Sequence, residues 1–317
     1  MNQNPTSAEV VRSNEKNEFE TWAISAHNTF GRPVYIFGKP VARDILFSNH
    51  RGIYKKRVEK RQRRLLIKIP FINSFLEDGE LITLITKGYA PMTRLERYLL
   101  RYLTVFQRRA LFVFTDRRVI YIPTTFTYGY RYSVAEIRYA NCENIQVIGR
   151  SLVFMFHNGG FEQFPYIRRQ ERRKLQALIG KFAFGMNPAE SQTMTYLCAR
   201  CGVAIPNNSA SCPKCQLRFL TATKAGKMAL LIPGGGYFYM NNTLYGFASA
   251  IMELLLAFLL ILSMVDMYQG LKGSVIATIL MSTALIGIKV VSFFHSQDLV
   301  QGCFPVMGQF PPLKSMN

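Results

Sequence analysis

Two apolar stretches near the C-terminal end constrain this chain more than any other feature. Tyr245–Val265 and Ser274–Phe294 each hold 21 residues and one charge, Glu253 in the first and Lys289 in the second. At ~1.5 Å rise per residue such a helix reaches ~32 Å, about the thickness of a bilayer's hydrocarbon core. Neither stretch has the polar stripe with which a globular helix faces water, which argues against a pair of buried core helices. The connection Asp266–Gly273 is short, so a helical hairpin is expected, with both flanks on one side. The flank before it is strongly basic, and the connection holds only Lys272. The cytoplasmic bias of Lys and Arg then places both termini in the cytoplasm, as an integral protein of an inner or plasma membrane. The opening residues MNQNPTSAEVVRSNEKNEFE have no apolar core and are not expected to form a secretory signal.

In an antiparallel hairpin Glu253 lies eight residues in from Tyr245, and Lys289 five residues in from Phe294. The depth difference is ~4.5 Å, which a long Lys side chain bridges, so an intramembrane pair is expected. An ionisable group inside a membrane is also a functional candidate. A role as accessory subunit of a membrane transporter or enzyme complex therefore stays open. Ahead of the hairpin, Met228–Met240 (MALLIPGGGYFYM) is apolar but too short to span. Its PGGGYFY turn resembles the short first segment of small bacterial two-helix membrane modules. In those, a Pro-Gly-x-Gly-x-x-Tyr-like turn leads into the bilayer just before a full span. The alternative is an interfacial segment held by Tyr237, Phe238 and Tyr239.

Lys plus Arg number 39 against 19 Asp plus Glu, a net charge of +20. From Met228 onward Lys272, Lys289 and Lys314 cancel Glu253, Asp266 and Asp298, so the whole excess lies in residues 1–227. A basic front and a neutral, apolar back argue against an ordinary soluble enzyme. They point to a polyanion or an anionic membrane surface as partner. Arg51–Arg64 carries Arg51, Lys55, Lys56, Arg57, Lys60, Arg61, Arg63 and Arg64 against Glu59 alone, on a pattern that predicts a helix. Beside anionic lipid each such cation contributes ~1 kcal/mol of attraction. In Pro91–Gln107 (PMTRLERYLLRYLTVFQ), Arg94, Arg97 and Arg101 share one helical face, which Arg108 continues. Leu95, Leu99, Tyr102, Leu103 and Phe106 share the opposite face. This basic amphipathic helix either lies among phospholipid headgroups or packs its apolar face on its own domain. Nucleic acid is the other polyanion to weigh, but no reading motif accompanies the basic residues.

Residues 77–183 read as strands followed by a helix. Glu80–Lys87, Ala110–Thr115, Val119–Pro123, Tyr130–Val134, Asn144–Ile148, Leu152–Phe156 and Phe161–Pro165 are the expected strands. Asp116-Arg117-Arg118 and the Asn-Gly of His157–Gly160 are the expected hairpin turns. In Tyr166–Phe182, Leu175, Leu178, Ile179 and Phe182 recur at helical spacing. GEL at Gly79–Leu81, FTDRRVIYI at Phe114–Ile122, the strand pair around HNGG and the closing helix together resemble the bacterial pleckstrin-homology-like fold. That resemblance implies a β-barrel or sandwich capped by a C-terminal helix, which binds anionic lipid headgroups or proteins. No enzyme constellation stands against it. His27, His50, His157 and His295 form no spaced pair, and neither a P-loop nor G-x-S-x-G occurs. A non-enzymatic protein is expected.

Cys198, Cys201, Cys212 and Cys215 form C-x2-C-x10-C-x2-C, written CARC-GVAIPNNSAS-CPKC. Two such pairs can present four thiolates to one metal. The pattern resembles the small zinc-ribbon family, which implies one structural Zn2+ with no open coordination position. Iron is the less favoured alternative, and a cytosolic side disfavours disulfides. The ribbon serves either in recognition or as a spacer. Cys142 and Cys303 lack partners at ligand spacing.

The expected fold class is multidomain α+β with membrane helices. The expected order is a basic N-terminal extension (1–76), the pleckstrin-homology-like domain (77–183), a linker (184–194) and the zinc ribbon (195–220). A membrane-proximal segment (221–244), the transmembrane hairpin (245–294) and a C-terminal tail (295–317) follow. The expected function is a membrane-anchored binding or scaffold protein whose basic domain meets anionic phospholipid or a protein partner. The alternative is a membrane-tethered nucleic-acid-binding protein.

Overall fold

The computed structural model describes residues 30, 33–91, 107–125, 127–182, 184, 194–206, 209–271, 274–300 and 302–306. The chain divides into two compact units, Met1–Ala204 and Ile205–Asn317.

The first unit begins with β1 (Val34–Ile36), β2 (Lys39–Val41), α1 (Arg43–Leu46), α2 (Lys56–Ile67) and a 3-10 turn (Pro70–Phe75). The strands β3 (Ile82–Tyr89), β4 (Arg109–Thr115), β5 (Arg118–Pro123) and β6 (Val134–Arg138) follow as an antiparallel meander. A second antiparallel sheet holds β7 (Cys142–Ile148), β8 (Ser151–Phe156) and β9 (Phe161–Phe164). Then come α3 (Arg169–Ile179), β10 (Thr195–Leu197) and β11 (Ala204–Ile205). The large sheet runs β1-β2-β3-β4-β5-β6-β10-β11.

The sequences of β4 (RALFVFT) and β5 (RVIYIP) explain this arrangement. Successive strand side chains point to opposite faces, so an unbroken apolar run needs a cover on both. Phe112, Phe114 and Tyr121 pack with Leu152, Phe154, Phe164 and Leu175 from the second sheet and α3. Leu111, Val113, Ile120 and Ile122 pack with Leu65, Leu66, Ile69 and Ile72 from α2 and the turn after it. Residues 34–75 therefore supply the second cover of the sheet. The helix expected in Arg51–Arg64 is α2, displaced toward the apolar residues that anchor it.

A buried side chain fixes α2 in place. Gln62 is fully buried, donates from Nε2 to the Ile85 carbonyl at 2.9 Å, and accepts from the Ile85 amide at 3.1 Å. Its amide takes the place of a neighbouring strand where β2, paired with β3 only at Val41 and Ile82, has ended. The strand expected over Tyr130–Val134 is instead Val134–Arg138. Tyr128 and Tyr132 hold positive φ angles of 63° and 56°, which break the extended run ahead of it.

Arg118 is the centre of a buried network of charge in this unit. Arg118 is 4% exposed, donates from Nε to Glu80 at 3.0 Å and from Nη2 to the Phe75 carbonyl at 2.6 Å, and pairs with Glu136. Glu77 joins Arg117 at 3.1 Å and Arg138 at 2.7 Å.

The second unit holds α4 (Ala222–Leu231), α5 (Gly235–Tyr239), α6 (Thr243–Tyr268) and α7 (Ser274–Val300). The last two contain the apolar stretches and exceed them, at 26 and 27 residues. Both are long and apolar enough to cross a membrane. Only 11% of the most apolar part of α6 is buried, and 0% of that of α7, so neither is the core helix of a globular domain. They meet through small polar side chains: Ser263 Oγ lies 2.8 Å from Thr278 Oγ1. Pro233 and Gly234 of the Pro-Gly-Gly-Gly break lie between α4 and α5, and its last two glycines open α5. Gly234 sits at φ +65°, and a Cβ there would come within 2.1 Å of the Gly246 carbonyl oxygen on α6. Only glycine allows that approach.

Candidate metal centre and charged sites

Two knuckles with the same hydrogen bonds carry the four-cysteine pattern. In the first, the Cys198 amide donates to Val203 O at 2.9 Å, and the Gly202 amide donates to Cys198 O at 2.8 Å. In the second, the Cys212 amide donates to Leu217 O at 2.9 Å, and the Gln216 amide donates to Cys212 O at 3.0 Å. The residue after each second cysteine is left-handed, Gly202 at φ +71° and Gln216 at φ +53°. That sharp reversal turns both thiols of a knuckle to the same side.

The Sγ atoms of Cys198, Cys201, Cys212 and Cys215 all lie within 4.8 Å of one another. Tetrahedral sulfur ligands at ~2.3 Å from a metal stand ~3.8 Å apart, so the set needs only a small contraction to close on one ion. Cys198 and Cys212 are buried, and Cys201 and Cys215 are partly exposed. None of the four is in a disulfide. Backbone pairing extends the second knuckle: Leu220 N donates to Phe304 O at 2.7 Å, and Val306 N donates to Arg218 O at 2.9 Å. Part of the expected C-terminal tail is thus paired with the ribbon through an isolated β-bridge between Phe219 and Pro305. Cys142 and Cys303 lie outside the cluster, and burial pushes their thiols up to about 12 and about 11.

The basic residues separate into groups. Arg51, Lys55, Lys56, Arg57, Lys60 and Arg64 are exposed. Arg63 pairs with Glu59 at 2.7 Å along α2. Arg61 pairs at 3.3 Å with Glu171, a buried carboxylate that also accepts from the Thr86 hydroxyl. Arg108 does not continue an open basic face, because it is 8% exposed and donates from Nη1 to Pro91 O at 2.7 Å. Arg94, Arg97 and Arg101 lie outside the described residues.

In the helical unit Glu253 is 2% exposed and accepts from Ser249 Oγ at 3.0 Å and from the Gly234 amide at 3.3 Å. Lys289 Nζ lies 2.6 Å from Glu253 Oε2 and donates to Ala229 O at 3.1 Å. The expected pair is therefore also a tie to the Gly-rich break and to the end of α4.

Two buried ionisable groups had no signal in the sequence. Lys174 donates to the carbonyls of Ile45, Leu46 at 3.0 Å and Ser48 at 2.8 Å, closing the C-terminal end of α1. Burial, with Arg61 nearby, pushes it down to about 7. Asp116 accepts from the Leu81 amide at 3.0 Å through Oδ1, and Oδ2 has no partner among the described residues. Burial pushes Asp116 up to about 6. Each depends on a partner at least thirty-five residues away in the chain.

No family model matches the chain, and no curated protein or solved structure matches it. Its function is therefore read from its own residues.

Proposed function

We propose that this is a membrane-anchored binding protein whose basic sheet domain meets anionic phospholipid headgroups on the cytoplasmic side. One observation carries the reading: α6 and α7 are inverted relative to a soluble fold. Leu244, Phe247, Ile251, Ile276, Ile279 and Leu280 are each 60% exposed or more, while Glu253 is 2% exposed. Such a surface is stable against hydrocarbon and costly in water. The hairpin spans the bilayer with both termini in the cytoplasm, as the basic residues 1–227 require.

The order of four strands, three strands and a helix from β3 to α3 supports a pleckstrin-homology-like domain. The role assigned to it is binding rather than catalysis. The exposed cations Arg51, Lys55, Lys56, Arg57, Lys60 and Arg64 supply its attraction to anionic lipid, at ~1 kcal/mol each when they face the surface. Zn2+ is the metal we assign to the four thiolates, because a closed set of sulfur ligands suits a structural zinc site. The ribbon then lies in sequence between the sheet domain and the hairpin.

The test uses the full chain in two nanodisc preparations, one of phosphatidylcholine alone and one containing phosphatidylglycerol. Hydrogen exchange at residues 51–67 is expected to slow on the anionic discs and to recover in high salt. Replacing the six exposed cations by Gln should abolish the difference. Equal exchange on both lipids would reject the surface role. Extraction of the chain from native membranes by alkaline carbonate would reject the span.

A further inference from the structure

Tyr128 gathers cations from three separate elements. Lys87 of β3 holds Nζ 3.8 Å from the ring centroid. The Arg109 guanidinium, at the start of β4, is 5.3 Å away, and Lys68 Nζ, just after α2, is 5.5 Å away. Lys68 is positioned by donating to Thr127 O at 2.7 Å. Arg168, which precedes α3, also acts on both Lys87 and Tyr128. Burial first, then the like charges of Lys68, Arg168 and Arg109, hold the Lys87 ammonium below its usual range.

The carboxylate that acts on this group is Glu171, and it is committed to Arg61 and Thr86. A ring face returns only ~0.5–1 kcal/mol per exposed cation and neutralises none of the charge. In register Lys87 opposes Leu111, so both belong to the face that α2 covers rather than the face toward the second sheet.

We propose that Lys68, Lys87, Arg109 and Arg168 form a receptor for a phosphate group, gathered around the Tyr128 ring. Phosphate oxygens accept from several donors at once and carry enough charge to satisfy cations converging from different elements. The source is either a phospholipid headgroup or free phosphate. The inference deepens the reading of this domain as one that meets anions.

The test needs no lipid surface, so its failure leaves the nanodisc result to stand alone. The full chain in neutral maltoside micelles is titrated with inorganic phosphate and, separately, with glycerophosphoglycerol, the deacylated lipid headgroup, and followed by 31P NMR. Saturable binding of at least one probe is expected. Lys68→Gln with Lys87→Gln should weaken it about tenfold or more. Arg150→Gln with Lys181→Gln, which removes the same charge from exposed positions outside both basic groups, should leave it unchanged. Lys68→Gln alone, at an exposed position, should weaken it by a smaller factor and guards against misfolding of the double variant. Binding of inorganic phosphate alone supports the receptor with free phosphate as its source. Binding of the headgroup supports it with lipid as the source. Absence of saturable binding, or equal weakening by the two double variants, would overturn the proposal.

Discussion

The sheet unit and the helical unit bury opposite things. In the first, Phe112, Phe114, Leu111 and Val113 are all at 0% exposure, and buried charges such as Arg118 and Lys174 are held by several partners each. In the second, large apolar side chains line the outside, and a buried carboxylate is held by one lysine, one serine and one backbone amide. The contrast is in the kind of side chain each unit hides. A chain in water hides its apolar residues, whereas a chain in hydrocarbon hides its polar ones. Both nevertheless treat a buried charge alike, by giving it several partners from separate elements.

Four substitutions sharpen or break that comparison. The largest effect is expected in the ribbon. Cys212→Ser removes one thiolate, and structural zinc sites contribute ~10–16 kcal/mol of apparent folding energy. Metal content should fall from one ion per chain to nearly none, and hydrogen-exchange protection at residues 195–220 should be lost. A metal-free wild type with the same protection would remove the metal from the account.

Next is Glu253→Leu. It strands the Lys289 ammonium and leaves the Gly234 amide without its acceptor, at a cost of about 3 kcal/mol. Thermal unfolding in detergent should report the loss, and adding Lys289→Leu should restore most of it. If the double variant is no better than the single one, the pair has a role beyond mutual compensation.

Asp116→Asn isolates one charge in the sheet unit. The folded-state pKa of Asp116 is raised from 3.8 to about 6, so the folded state holds the proton more tightly than the unfolded chain does. Its contribution to stability is present below pH ~4 and is lost as pH rises through about 6. The asparagine variant avoids that loss. Its melting point relative to wild type should climb between pH 4 and pH 6 and level off above, by at most ~3 kcal/mol at ~1.4 kcal/mol per unit. A flat difference would mean that Asp116 is ionised throughout.

The smallest effect is expected at Gln216→Gly. Relief of a left-handed residue at φ +53° favours the variant by ~1 kcal/mol, and the freer unfolded chain offsets much of it. Metal content should not change, and the ribbon's melting should shift by less than ~1 kcal/mol. A loss of metal would show that Gln216 does more than turn the chain.

Much of the metal cluster was legible, because C-x2-C is a local device. The residues that form each knuckle lie within six positions, and Gly202 announces the turn that needs it. The apolar helices were legible because a bilayer-length run has few alternative uses. Tyr130–Val134 was misplaced because positive φ at two tyrosines leaves no compositional trace. The packing of residues 34–75 on the sheet was hidden for a related reason. Eight cations in Arg51–Arg64 mask the Leu65, Leu66, Ile69 and Ile72 run that follows.

By itself the sequence determined what is written in neighbouring residues: two apolar helices of bilayer length, four thiols in paired knuckles, continuous strands, and the location of the excess charge. Tertiary structure alone decided which cations remain open to a partner. Arg61 and Arg108 read like their neighbours, yet one is tied to Glu171 and the other is turned inward to Pro91. Lys68, Lys87 and Arg109 are scattered along the chain, yet they meet at one ring. The physical reason is range: turns and spans are set by adjacent residues, whereas the field at a charged group is set by whatever packing brings within a few ångströms of it.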